Sequence, residues 1–436
     1  MSDWRSEYER KRATAAEAVA EIPDGAFALQ GNAIGEPGSL LRAVADRVRA
    51  GDLEGLRVAS LLPTRHSAES LFAPDVFERI RWHSFFASGV DRGVVRSGAA
   101  LFSPMQFHQI PRIIRDYLDV DVALVCVSRV DERGYVSLGT NVDTNRAAID
   151  KAKYVIAEVN ACMPRVHGGA WVHVSELDAI VEHDEPITEL PIPSEREEDR
   201  AMGEIISEMI PNGATIQLGI GGVPNAVAGS LMNHRDLGIH TEMFVDSMVD
   251  LVASGVANGS KKTLHPGKAI YSFAAGSKRM YEFLDDHPDI EAHPVDYTNY
   301  PANIAQNQGL ISVNSTIEID LTGQCCSESI GAEQFSGTGG QLDFVRGAYD
   351  AGGKSLIAFY STAKGGTVSR VVPTLKPGAV VTTPRTDVHY VVSEYGVERL
   401  KGRSTRERSL ALISLAHPDF RESLTRSAAE LGYLKD

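Results

Sequence analysis

Glu242, in Thr241-Glu242-Met243-Phe244, and the loop Gly219-Ile220-Gly221-Gly222-Val223-Pro224 upstream of it have residue types and a spacing that can do chemistry. Gly219, Gly221 and Gly222 permit backbone angles and close approaches that a Cβ forbids, and Pro224 has the φ of a first helical turn. The start of such a helix leaves unpaired N–H groups with a partial positive charge behind them, which makes a place for an anion. A carboxylate beside that place suggests covalent acyl transfer: the carboxylate attacks a carbonyl, and the amides hold the oxygen that becomes negative. The plain alternative is that strand, glycine turn and helix recur for packing reasons, and that a lone Glu at a strand end is solvated or ion-paired.

The elements that must position these groups follow from periodicity. Residues 215–218 are a short apolar run that reads as a buried strand, 224–232 as a helix and, after a break at Gly238, 239–244 as a second strand. If the two strands are parallel and joined by that helix, the loop and the end of the second strand share one edge of the sheet. A second glycine-rich stretch, Phe335-Ser336-Gly337-Thr338-Gly339-Gly340, can present further amides. Two such loops and one carboxylate make a two-donor oxyanion hole.

The first half carries a similar pattern: a turn at Asp24-Gly25, an apolar strand over 26–29, the loop 31–37 ending in Pro37, and a helix over 38–50. Placing Pro37 on Pro224 aligns turn, strand, loop and helix, as an internal repeat would. Strands are expected at 56–61, 94–95, 122–127 and 154–158, with helices at 3–22, 111–118 and 144–151. Alternation of this kind predicts two similar open α/β domains with mostly parallel sheets. Residues 183–200, rich in Glu, Asp and Pro (Pro186, Pro191, Pro193), read as the linker, dividing the chain into 1–190 and 191–436.

A chain of 436 residues with 43% apolar and 23% charged residues is of ordinary globular composition and long enough for two domains. Its 58 acidic against 43 basic residues give a net charge of -15, which argues against nucleic acid as a partner and requires a local positive site for any anionic ligand. Lacking an apolar run that spans a bilayer and a signal-like N-terminus over 1–12, the protein is expected in the cytoplasm, away from membranes. Cys126, Cys162, Cys325 and Cys326 fit neither a disulfide framework nor a metal pattern. His234 and His240 have no metal spacing, so no metal is expected.

Taken together, 219–227, 240–244, 318–329, 337–347, 393–403 and 416–421, with Gly134-Tyr135-Val136-Ser137-Leu138-Gly139, resemble the acetyl-CoA hydrolase/transferase family, the glutamate-dependent class I CoA-transferases, and within it the 4-hydroxybutyrate CoA-transferases. The resemblance implies two similar domains with the active site in the cleft between them, and a homodimer. It implies Glu242 as nucleophile, the amides of Ile220 and of Gly339 or Gly340 as oxyanion donors, and Glu394 as a nearby polar support. Gly219, Gly221 and Gly222 would face the CoA thioester. Acyl-CoA and a small carboxylate would be the substrates, with no further cofactor. One departure is the turn Cys325-Cys326-Ser327, where some relatives carry an Asn that can orient substrate.

An acyl-CoA hydrolase would use the same glutamate with water as acceptor, and differs in how dry its pocket is. A dinucleotide-binding protein is a further alternative, since Gly219-Ile220-Gly221 opens like that fingerprint and Asp246 stands where its ribose-binding acid would; Pro224 replaces the third glycine. Cys325-Cys326 read as small buried residues, and Glu318 with Asp320 as structural. Lys261, Lys262, Lys364 and Arg129 are the basic candidates for CoA phosphates.

Overall fold

A computed structural model describes residues 4–191 and 194–434. Residues 1–3, among them Asp3 of the expected first helix, residues 192–193, among them Pro193 of the expected linker, and residues 435–436 lie outside the described residues. The chain forms two compact units, one of residues 1–191 and 270–298, the other of 192–269 and 299–436.

The first unit is built on seven parallel strands in the order Ala179–Glu182, Tyr154–Val159, Val122–Val127, Phe27–Gln30, Arg57–Leu61, Arg81–Phe86 and Leu101–Phe102. Val122–Val127 is buried along its whole length, as a near-continuous apolar run should be in a sheet covered on both faces. Helix Gly38–Ala50 packs Leu40, Leu41, Val44, Ala45 and Val48 into this core and ends at Gly51, whose φ of 82° needs a glycine.

The second unit has six strands in the order Gly238–Ile239, Thr215–Leu218, Ile311–Ser315, Lys354–Ala358, Tyr390–Ser393 and Gly396–Arg399. All neighbours are parallel except the last pair, an antiparallel hairpin. In chain order its first five strands lie 2-1-3-4-5, the order also taken in the first unit by 57–61, 27–30, 122–127, 154–159 and 179–182. The internal repeat is therefore visible as shared topology. In each unit the first strand is flanked by the second and the third, so the loop after it opens at a topological switch point.

Three expectations need correction. Val94 and Val95 lie in helix Arg92–Ser97, because their two-residue apolar pair is too short to distinguish strand from helix. The N-terminal helix is two, Trp4–Lys11 and Ala15–Ala20, since Thr14 forms a capping box with Glu17 and restarts it. The strand over 239–244 breaks: Gly238–Ile239 pairs with Thr215–Ile216, while Met243–Phe244 is a separate element.

At the switch point of the first unit the space after Gln30 is filled by the protein itself. Asn32 donates through Nδ2 to Asp143 (3.2 Å) and Thr144 (2.6 Å), and Glu36 accepts from the amides and hydroxyls of Thr64 and Ser67. The first turn of helix 38–50 is capped by Glu158, which accepts from the Ser39 and Leu40 amides. This glycine loop thus leaves no anion site on its helix, although it looks like the later one in sequence.

Burial pushes the Asp143 carboxyl up to about 6, against the opposing pull of its hydrogen bonds. A carboxyl whose folded value is raised holds its proton more tightly in the native state, so stability falls as pH rises from the ordinary aspartate value to about 6. The shift corresponds to about 2–3 kcal/mol over that window. Asp143→Asn is expected to flatten urea-unfolding stability between pH 4 and 6 by up to that amount. Glu36 and Glu158, both also raised by burial, contribute slope of the same sign. Parallel profiles for variant and wild type would refute the assignment.

Candidate active site

In the second unit the segment that breaks the 239–244 strand carries the acid. The His240 amide still bonds to the Ile216 carbonyl (3.1 Å), but the Thr241 hydroxyl turns back to the carbonyls of Leu218 (3.2 Å) and Met243 (3.1 Å). Buried Thr241 thereby fixes a bend whose next residue, Glu242, is only partly buried. Leu218 is the last strand residue before Gly219, so glycine loop and acid spring from one strand edge, as the parallel pairing requires.

The glycine loop hangs on the Gly219 amide, bonded to Val313 (3.3 Å). Gly221 takes φ +116°, a region closed to residues with a side chain. Helix Gly222–Ser230 begins two residues earlier than Pro224 alone indicates, because the chain is already helical at Gly222. A Cβ on Gly222 would lie 2.2 Å from Oδ2 of Asp199. Buried Asp199 accepts from the Tyr360 hydroxyl (2.6 Å) and the Arg196 amide (2.9 Å). Burial, aided by the bond to Asp199, pushes the Tyr360 hydroxyl up to about 12, which keeps it a donor. Asp199 thus occupies the space that a side chain at position 222 would need. Ile220, at the tip, is 62% exposed.

The second loop is fixed from the other side. Helix Gln341–Asp350 buries Leu342, Phe344, Val345 and Ala348, with Phe344 and Ala348 packed on Ile304 and Leu310. Gln341 donates to the Ser315 carbonyl at the end of its strand (3.0 Å). Gly340 caps this helix, and Gly339 before it has φ +60°. A Cβ on Gly340 would lie 1.9 Å from Oε2 of Glu242 and 2.2 Å from Nδ2 of Asn299. Asn299, buried, donates from that nitrogen to Glu242 Oε2 at 2.6 Å.

The structure thus brings together Glu242, Gly340 and Asn299, with Gly339 one residue away and the 219–222 loop rooted in the strand that anchors Thr241. Glu394 accepts from the Ser361 amide (3.0 Å) and hydroxyl (2.5 Å) beyond strand Tyr390–Ser393. Asn299 was not found from the sequence, because no spacing rule connects Thr298-Asn299-Tyr300-Pro301 with an acid 57 positions earlier. Lys262 drops out of the basic candidates: it is buried, and its ammonium is bonded to the Ile239 (2.9 Å) and Lys268 (2.7 Å) carbonyls. Arg129 pairs with Asp184 at 3.5 Å. Lys261 and Lys364 are exposed. Asp246 opens helix Asp246–Ala253 instead of ending a strand, which is not the placement of a ribose-binding acid.

Asp320 accepts from Thr322 and Gln324 and so holds a turn, and Cys325 and Cys326 are buried free thiols. No helix among the described residues is long and apolar enough to cross a membrane.

A partly buried carboxylate clamped by an amide at the switch point of a parallel sheet defines the chain as an α/β protein with a candidate covalent site, and its relatives specify which chemistry. The acetyl-CoA hydrolase/transferase N-terminal domain matches residues 1–191 and the C-terminal domain of that family matches 276–428. The succinyl-CoA:cyclohexane-1-carboxylate CoA transferase of Geobacter metallireducens is 46% identical over 98% of this chain and 97% of its own. The 4-hydroxybutyrate coenzyme A transferase of Clostridium kluyveri is 44% identical over 97% and 98%. RipA from Yersinia pestis, known from its crystal structure, is 42% identical and matches with a TM-score of 0.96 over 99% of this chain and 100% of that one. The chain belongs to the acetyl-CoA hydrolase/transferase family, and it is a CoA-transferase.

Proposed function

We propose that the chain moves coenzyme A between a short-chain acyl-CoA and a free carboxylic acid in two half-reactions, with Glu242 as nucleophile. The observation that carries this reading is the Glu242 carboxylate held by Asn299 against the side-chain-free face of Gly340. An Oε of Glu242 attacks the thioester carbonyl, the C–S bond breaks, and CoA leaves as thiolate from a mixed anhydride. The thiolate then attacks the glutamyl carbonyl, the first acid departs, and Glu242 carries CoA as a thioester. An incoming carboxylate reverses both steps. Each tetrahedral intermediate places a negative charge on oxygen, for which the amides of Ile220 and of Gly339 or Gly340 are the donors. Acyl-CoA and the glutamyl-CoA thioester are both thioesters of comparable energy, so a carboxylate nucleophile avoids a deep intermediate well. The Asn299 amide orients the attacking carboxylate through Oε2.

Acetate, butyrate, 4-hydroxybutyrate, succinate and itaconate are the acyl groups to test, with 4-hydroxybutyrate and succinate supported by relatives named for them at 44% and 46% identity. The reading extends to a homodimer acting in the cytoplasm. Incubating the enzyme with each acyl-CoA, trapping with borohydride or hydroxylamine and mapping the peptide should mark Glu242. CoA release that depends on an added carboxylate supports transfer; release in water alone at the same rate would make the chain a hydrolase, and a mark elsewhere would end the nucleophile assignment.

A further inference from the structure

The amides of Gly339 and Gly340 are useful only if a chain segment with three glycines in four residues is held still, and glycine is the residue least able to hold itself. Thr338 is the side chain inside that segment, and its hydroxyl meets both carboxylate oxygens of Glu328, at 3.2 and 3.3 Å. Glu328 is 2% exposed. The Thr382 hydroxyl donates to its Oε1 (3.0 Å) while accepting from the Ser327 amide (3.0 Å), and Gln334 donates to Oε2 (3.2 Å). The carbonyl of the same residue accepts from the amides of Phe335 (2.8 Å) and Ser336 (3.1 Å). Side chain and main chain of Glu328 together therefore hold the chain from 334 to 338, the approach to the loop.

All three side-chain donors to this carboxylate are neutral. Burying a charge among neutral donors costs stability compared with an apolar filling of the same volume. A fully bonded polar network at that cost fixes one geometry in return. The need for one geometry is visible two residues on, where Gly340 approaches Glu242 so closely that a single added carbon would lie 1.9 Å from the carboxylate oxygen.

We propose that Glu328, acting through Thr338, is a positioning residue that aims the Gly339 and Gly340 amides at the reacting carbonyl. This rests on the proposed function, since it needs Glu242 as the group that reacts. The test follows single-turnover formation of the Glu242–CoA thioester, with kcat and KM, in Thr338→Val, Glu328→Ala, Glu328→Gln and the Glu328→Ala/Thr338→Val pair. Thr338→Val keeps the shape and removes only the hydroxyl, so it remains informative should Glu328→Ala fold poorly. Thr338→Val and Glu328→Ala are expected to slow thioester formation and kcat by about 10- to 100-fold with KM changed less than about threefold. The double variant should be no slower than Glu328→Ala, because both remove one interaction. Glu328→Gln, which keeps an acceptor for Thr338, should recover most of the rate. Wild-type rates in Thr338→Val and Glu328→Ala, or losses confined to KM, overturn the inference while leaving Glu242 as nucleophile. A wild-type enzyme that never labels at Glu242 overturns the nucleophile assignment itself, and this inference with it.

Discussion

Glu242→Gln is expected to lower kcat on the order of ten-thousand-fold or more, the size of effect seen when a covalent nucleophile is removed. The exchange is close to isosteric, and the amide oxygen can still accept from Asn299 Nδ2, the bond that is 2.6 Å long in the structure. Bend and neighbours therefore survive: Thr241 remains on the Leu218 carbonyl, and the glycine loop remains on Val313. What is lost is the nucleophilic carboxylate, so acyl-CoA binding should persist while every step after it stops. The comparison is made with CoA exchange between labelled acyl-CoA and free acid, together with a direct binding measurement. Activity above about one per cent of wild type would mean that another group attacks the thioester, and the central assignment would have to move.

The second large effect is steric. In Gly340→Ala the new methyl would lie 1.9 Å from Glu242 Oε2 and 2.2 Å from Asn299 Nδ2, distances no pair of unbonded heavy atoms tolerates. Both atoms are the ends of side chains, so relief comes from swinging the carboxylate and amide aside, without moving the backbone that carries Gly340. Helix 341–350 stays docked through Phe344 and Ala348, and stability should change by less than about 1 kcal/mol. A displacement of about 1 Å in the attacking oxygen is enough to cost on the order of a hundredfold in rate. Gly340→Ala is therefore expected to lose about two to three powers of ten in kcat with a near-native thermal midpoint. A fully active variant would show that Glu242 reacts from some other position, and an unfolded one that the close approach supports the fold more than the chemistry.

Much of the scaffold can be read without coordinates where one force dominates locally. Val122–Val127 is a strand because six consecutive apolar residues suit only a doubly covered sheet, and 38–50 is a helix because its apolar side chains repeat at helical spacing before Gly51. Strand Arg81–Phe86 has no local signal: Arg, His and Ser interrupt its apolar pattern, and its place in the sheet comes from pairing with 57–61. Val94 and Val95 went the other way, β-branched residues taken into a short helix.

The candidate site divides along the same line. Glu242 and the glycines at 219, 221, 222, 339 and 340 are discernible from residue type alone, because tight turns and close approaches demand glycine and covalent chemistry demands a nucleophile. Their order along the chain also supports the family. Asn299, Asp199 and Glu328 needed the fold: each works across a distance in sequence that only the packing of separate strands and helices closes, and an Asn or an acid in isolation has no distinguishing neighbours. Topology likewise decided between two look-alike glycine loops. The loop after Gln30 is filled by Asn32 and Glu36 and its helix capped by Glu158, whereas the loop after Leu218 shares its strand edge with a carboxylate. Local sequence determines what a segment can adopt and which reactive groups it carries; which of them meet is set by burial and hydrogen bonding summed over the whole unit, a non-local quantity that no short stretch of residues contains.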